Sequence, residues 1–165
     1  MLLRSLGELT TALVVTLCVP LLGYYAQAGE LHPRIFAACL LPCVLQFAML
    51  LAIELPDAAG DAVAGKRTLV VRLGAAAGAR SCAVLTIAAF GALPLLAGGA
   101  LPARVAIAPL ALAPIAIWQA ARVARGYADP ARWDSVAFWS VALLTGGAAA
   151  ELIAAVTLAW ARAGG

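Results

Sequence analysis

Charge is what this chain has least of. Only 12% of its 165 residues are Asp, Glu, Lys or Arg, about half the share of an average soluble domain. Histidine occurs once, asparagine is absent, and no Cys or His accompanies the Cys39–Cys43 pair at zinc-ligand spacing. That excludes the familiar zinc sites. Cys18, Cys39, Cys43 and Cys82 all lie in apolar runs and read as small buried hydrophobes. His32 stands beside Pro33 without a partner and reads as a loop residue. The net charge of +3 is spread over scattered cations, so the basic stripe of a nucleic-acid binder is missing. No internal repeat, disordered tract or soluble domain is present.

Apolar sequence fills the space. The chain is 65% hydrophobic with a mean hydropathy of +1.01, and its apolar runs cover about residues 9–28, 35–53, 79–100, 102–121 and 135–160. About 20 apolar residues cross a bilayer as a helix, so five crossings plus loops use the chain almost completely. The expected fold is all-α, a polytopic membrane bundle of about five transmembrane helices in one integral membrane domain, 1–165. A signal peptide competes for the first run, because Arg4 precedes it and Ala26-Gln27-Ala28 has the form of a cleavage site. Glu8 in the would-be basic region and the length of the run favour a retained helix, kinked at Pro20.

Cation placement sets the expected orientation. With the N-terminus inside, eight of the 11 basic residues fall on inner segments: Arg4, then Lys66, Arg67, Arg72 and Arg80, then Arg122, Arg125 and Arg132. Arg34, Arg104 and Arg162 are outside. Residues 54–74 then face the cytoplasm of a bacterial plasma membrane. Trp118, Trp133 and Trp139 towards the inner surface and Trp160 near the outer one read as an interfacial belt. Glu151 is an ionisable residue in mid-span, placed either for function or for a hydrogen bond between helices. Gly146, Gly147 and Ala148 to Ala150 around it permit close helix packing.

Residues 54–74 concentrate what charge there is. Glu54, Asp57 and Asp61 stand at i, i+3 and i+7, and on one continuous helix they share an arc of about 60°. Pro56 argues instead for a kink or a fresh helix start. Oxygen donors of this kind suit Mg²⁺, held by one or two carboxylates together with substrate phosphates, and Lys66 and Arg67 could take the remaining phosphate oxygens. The competing reading is a solvated loop whose opposite charges pair weakly.

Asp57-x-x-x-Asp61-x-x-x-Gly65-Lys66-Arg67-Thr68-Leu69, followed by Arg72-Leu73-Gly74, resembles the second aspartate-rich motif of the UbiA superfamily of membrane prenyltransferases. Gly7-Glu8-Leu9 and Gly23-Tyr24-Tyr25-Ala26-Gln27-Ala28-Gly29 are similar to the preceding segment of its dihydroxynaphthoate (menaquinone) branch. The resemblance is specific over residues 7–74. It implies an all-α bundle of about nine helices around a cavity, in which two aspartate-rich motifs hold Mg²⁺ on a polyprenyl diphosphate whose prenyl group passes to an aromatic quinone precursor. Carried onto this chain, Asp57 and Asp61 are the catalytic Mg²⁺ ligands, with Glu54 as a further ligand or helper. Lys66 and Arg67, and more weakly Arg72, contact the diphosphate. The family's first motif, Asn/Asp-rich, has no counterpart here, and the five runs correspond to the family's last five helices. The expectation is therefore a partial enzyme, either a fragment, a chain completed by a polypeptide that supplies the other helices, or a decayed homologue. Two alternatives stand beside it: a non-catalytic membrane scaffold or partner subunit, and, ranked last, a small transporter using Glu151.

Overall fold

The computed structural model describes residues 7–164; Arg4, counted above among the inner cations, lies outside them. The chain forms α1 (Gly7–Ala28), α2 (Pro33–Glu54), α3 (Ala58–Val63), α4 (Leu69–Leu73), α5 (Ala75–Leu96), α6 (Ala103–Gly126) and α7 (Trp133–Ala163). All but α3 and α4 are long and apolar enough to cross a membrane. Among the described residues there is no strand, only an isolated bridge between Ala97 and Leu101. The chain is an integral membrane helix bundle with five candidate spans, as the apolar runs predict.

Three boundaries are set by backbone breaks that an apolar window does not register. α5 runs from Ala75 to Leu96 rather than over 79–100, because Gly74 at φ 83°, ψ 147° starts it and extended Ala97 ends it. Only glycine adopts the Gly74 conformation readily. α6 continues to Gly126, so Arg122 is helical and lies 4.9 Å from the centre of the Trp118 ring. In α1, residues Val14–Cys18 form a π-helical turn just ahead of Pro20. Proline has no N–H for the ordinary ladder, and a π turn is one of the recurrent ways a helix accommodates such a break.

α2 is the central element, packing against α5 and α7, while α5 also packs against α6. One apolar cluster, including Leu51, Leu55, Val70, Ala79, Val123 and Val136, fills the end of the bundle at the α2–α5 connection. A second, including Leu41, Leu45, Phe90, Leu93 and Leu143, fills the rest. Lipid is as apolar as these side chains, so close van der Waals fit and buried hydrogen bonds do the holding. A Cβ added to Gly147 would meet Leu41 Cδ2 at 3.3 Å, and one on Gly146 would meet Leu112 Cδ1 at 3.0 Å. The small-residue stretch thus lets α7 approach α2 and α6 closely, as expected. Between α6 and α7, buried Gln119 donates through Nε2 to Val136 O (2.9 Å) and Ser140 Oγ (3.2 Å).

Cys39 and Cys82 are buried, whereas Cys18 faces outward from α1, correcting its reading as a core residue. Trp118 and Trp139 meet edge to face with centroids 5.5 Å apart, and Trp133 Nε1 donates to Tyr127 O at 3.0 Å. Of α1, only Glu8 and Ala12 are buried.

Candidate functional site

The polar connection between α2 and α5 is built from a sequence of local stops and starts. α2 ends at Glu54, the chain turns through Leu55–Asp57, and α3 begins at Ala58. Pro56 sits in the turn, where its missing N–H interrupts the ladder. The continuous helix with three acids on one face does not form, and the fresh start implied by Pro56 does. Asp57 occupies the N-cap position of α3 without making a cap bond and is exposed. Asp61 lies in the first turn of α3.

α3 ends in a Schellman motif. Gly65 has φ +73°, its N–H bonds Ala62 O at 3.2 Å, and Lys66 N–H bonds Asp61 O at 2.9 Å. This left-handed step is the reason for glycine at 65. It turns the chain back, and Lys66 Nζ reaches Asp61 Oδ1 at 2.6 Å, with side-chain exposures of 64% and 13%. The hydrogen bond and charge of Asp61 raise the Lys66 pKa above its ordinary value; desolvation opposes them and the charge of Asp57 adds to them. Thr68 then starts α4, its hydroxyl accepting from Val71 N–H at 3.3 Å. The next amide, Leu69 N–H, donates to Glu8 Oε1 of α1 at 2.6 Å.

A cavity of about 370 Å³ opens between these pieces, lined by Glu8, Thr11, Glu54, Lys66, Arg67 and Thr68 among others. Two carboxylates thus share one space with two cations. The Glu54 carboxyl lies close enough to that of Glu8 to share a hydrogen bond with it and feels the charge of Asp61 as well, and Glu8 Oε2 and Glu54 Oε2 are buried with no other partner. Two other cavities lack this combination: one of about 400 Å³ near Arg34 and Arg162 has no acid in its wall, and one of about 410 Å³ beside Arg80 is otherwise apolar but for Ser81.

Of the residues singled out in the sequence, the cavity gathers Glu54, Lys66 and Arg67. Asp61 is joined to it through Lys66, while Asp57 and Arg72 are not among its lining residues; Arg72 is exposed in the last turn of α4. Among the described residues no three His, Cys, Asp or Glu side chains converge as a metal cage. Mg²⁺ seldom needs one: it keeps several waters and binds one or two carboxylates plus phosphate. The buried Glu54 oxygen, with Asp61 nearby, fits that mode, whereas a closed all-protein site does not fit. Glu151 stands apart, buried in α7 with Oε1 unpartnered and within electrostatic reach of Cys39 on α2.

Glu8 is the participant that sequence reasoning missed. It was legible as an unexpected acid ahead of an apolar run and as part of the Gly7-Glu8-Leu9 resemblance, but nothing in its neighbours points to a partner at residue 69.

At one end of this membrane bundle, helices and a polar loop frame an acid- and cation-lined cavity. Across residues 4–161 the chain matches the sequence model of the UbiA prenyltransferase family, and it belongs to that family. The match extends through the last three spans, well beyond the motif-bearing residues 7–74. The family's enzymes are membrane prenyltransferases that generally use Mg²⁺. No curated protein and no solved structure matches the chain.

Proposed function

We propose that this chain takes part in Mg²⁺-dependent transfer of a prenyl group from a polyprenyl diphosphate to an aromatic quinone precursor such as dihydroxynaphthoate, with the cavity beside Glu54, Lys66 and Arg67 receiving the diphosphate. The observation that carries this reading is the meeting of two closely spaced carboxyls with buried oxygens, Glu8 and Glu54, with two cations in one cavity. Lys66 and Arg67 bind and orient the diphosphate oxygens, Arg67 through the fork geometry that suits phosphate. Asp61 and Glu54, with Asp57 exposed at the N-cap of α3, are the carboxylates that would hold Mg²⁺. Bound there, the metal supplies charge neutralisation for the leaving diphosphate. The allylic C–O bond breaks with its electron pair going to the diphosphate, the ring forms the new C–C bond, and a ring proton is released. Cationic side chains fixed beside the leaving group favour that ionisation. The apolar spans keep water from the allylic cation.

The cation bias places the cavity on the cytoplasmic side of the membrane in this reading, where phosphorylated substrates are available. A second polypeptide bearing an Asn/Asp-rich segment would complete the carboxylate set. The second reading is a non-catalytic membrane subunit of the same family. One experiment separates them. The purified chain in nanodiscs is supplied with Mg²⁺, a polyprenyl diphosphate and an aromatic acceptor, alone and then with a co-expressed segment carrying the Asn/Asp-rich motif. Prenylated product in either arm supports the enzyme. No product in both arms, together with no Mg²⁺-dependent binding of inorganic diphosphate, overturns it in favour of the subunit.

A further inference from the structure

Glu8 is 7% exposed, near the start of a helix that otherwise buries only Ala12. A carboxylate in such a setting is expensive unless its oxygens are hydrogen-bonded. Oε1 meets that requirement with Leu69 N–H at 2.6 Å, a contact that spans 61 positions of sequence. The amide concerned is one of the first N–H groups of α4, which have no partner within the helix.

The placement of this bond gives it a consequence. Lys66 and Arg67 sit on a short loop that is fixed on one side by the Schellman turn at Gly65. On the other side the loop is fixed by Thr68, through its hydroxyl to Val71 N–H, and by Glu8 through Leu69. Without Glu8 the second anchor is the Thr68 cap, which is local to α4. With it, the two cations line a cavity to which α1 contributes Glu8 and Thr11 and α2 contributes Glu54.

We propose that Glu8 is a positioning residue: through Oε1 it clamps the Gly65–Leu69 loop to α1 and so aims Lys66 and Arg67 into the cavity. The clamp deepens, and in its functional consequence rests on, the reading of that cavity as a diphosphate site. α1 thereby becomes part of the site without contributing a group to the reaction.

The test uses the full chain in nanodiscs with Glu8→Ala and Glu8→Gln, and reads three quantities. These are amide exchange in peptides covering 65–73, trypsin cleavage after Lys66 and Arg67, and binding of inorganic diphosphate with Mg²⁺. A hydrogen bond to a charged group is worth enough to change a local opening equilibrium by about tenfold or more. Glu8→Ala is therefore expected to raise exchange at Leu69 and cleavage at Lys66 and Arg67 by about that factor, with peptides of α5 to α7 unchanged, and to weaken diphosphate binding severalfold. Glu8→Gln keeps an oxygen for Leu69 N–H and is expected to restore protection and most of the binding. Unchanged exchange in Glu8→Ala overturns the clamp. If Glu8→Ala loses protection in every helix, Glu8→Gln decides, and an unprotected Leu69 amide in a folded Glu8→Gln chain overturns it equally. A loosened loop that binds diphosphate with wild-type affinity overturns the aiming role. Wild-type chain that protects Leu69 yet binds no diphosphate leaves the clamp standing and sinks the diphosphate reading instead.

Discussion

Lys66 Nζ lies 2.6 Å from Asp61 Oδ1, pairing the basic half of the polar segment with its acidic half five residues earlier. In the reading proposed here the pair must open or be shared when a diphosphate enters. Asp61→Asn removes a metal-binding carboxylate and the partner of Lys66 together. Prenyl transfer by the complete or complemented enzyme is expected to fall by about a hundredfold or more, with membrane insertion unaffected. Unchanged turnover in a membrane assay would remove Asp61 from the site.

The same pair has a pH signature. Asp61 raises the pKa of Lys66, so the pairing is fully present below the ordinary lysine value and is lost as pH rises through the higher folded one. Replacing Asp61 by Asn lets Lys66 deprotonate at lower pH. Lys66 is the chain's one lysine, so its labelling by an amine-reactive reagent near pH 9, mapped by peptide mass, is expected to be faster in Asp61→Asn than in wild type. Equal rates would mean that the pair does not hold in the membrane.

Gly65→Ala tests the turn that brings the pair together. A residue with a Cβ at φ +73° costs about 1 kcal/mol relative to glycine. A lower unfolding midpoint and faster trypsin cleavage at Lys66 are expected. A variant as stable as wild type, with the same cleavage rate, would show that the Schellman turn is not formed.

Gln119→Leu tests the α6–α7 contact. It removes the bonds to Val136 O and Ser140 Oγ, while Ser140 Oγ keeps its own bond to Val136 O at 2.8 Å. Interhelical hydrogen bonds of this kind average about 0.6 kcal/mol in membranes, with a maximum near 1.7 kcal/mol, so a loss in that range is expected in micelle unfolding. A double-mutant cycle with Ser140→Ala isolates the side-chain term, and zero coupling would contradict the bond.

Glu151→Gln keeps the shape of a buried group that has no ion-pair partner among the described residues. The neutral amide is expected to insert and fold like wild type, to within about 1 kcal/mol. Glu151→Lys places an ammonium in mid-span at a cost of about 2.5–3.5 kcal/mol and is expected to reduce the folded fraction sharply. A tolerated lysine would mean that water reaches this position.

The sequence carried the five spans because runs of about 20 apolar residues admit few other structures. It also carried Gly65, Lys66, Arg67 and Thr68, whose types follow from local demands: a left-handed turn, a charge pair, cations facing the cavity, a helix cap. What it could not carry was contact across the bundle. Glu8 meets Leu69, and Glu151 approaches Cys39, only because α1, α2 and α7 pack as they do, and no local periodicity encodes that. For Glu54, Asp57 and Asp61 the sequence offered two readings, one continuous helix or a fresh start at Pro56, and the structure has the second. Their spacing fits one helix face, but Pro56 ends the helix between the first acid and the others.

The π turn at Val14–Cys18 gives α1 a phase offset in its sequence pattern. A single such turn carries one residue more than an α-helical one. The end bearing Glu8 is therefore indexed in sequence separately from the end bearing Tyr24 and Tyr25. Deleting one residue from Val14–Cys18 would let α1 relax to a regular helix while leaving Glu8 facing the loop it holds, because the wide turn absorbs the extra residue within one turn. The π turn thus works as a spacer that takes up one residue of sequence without turning Glu8 away from the polar loop.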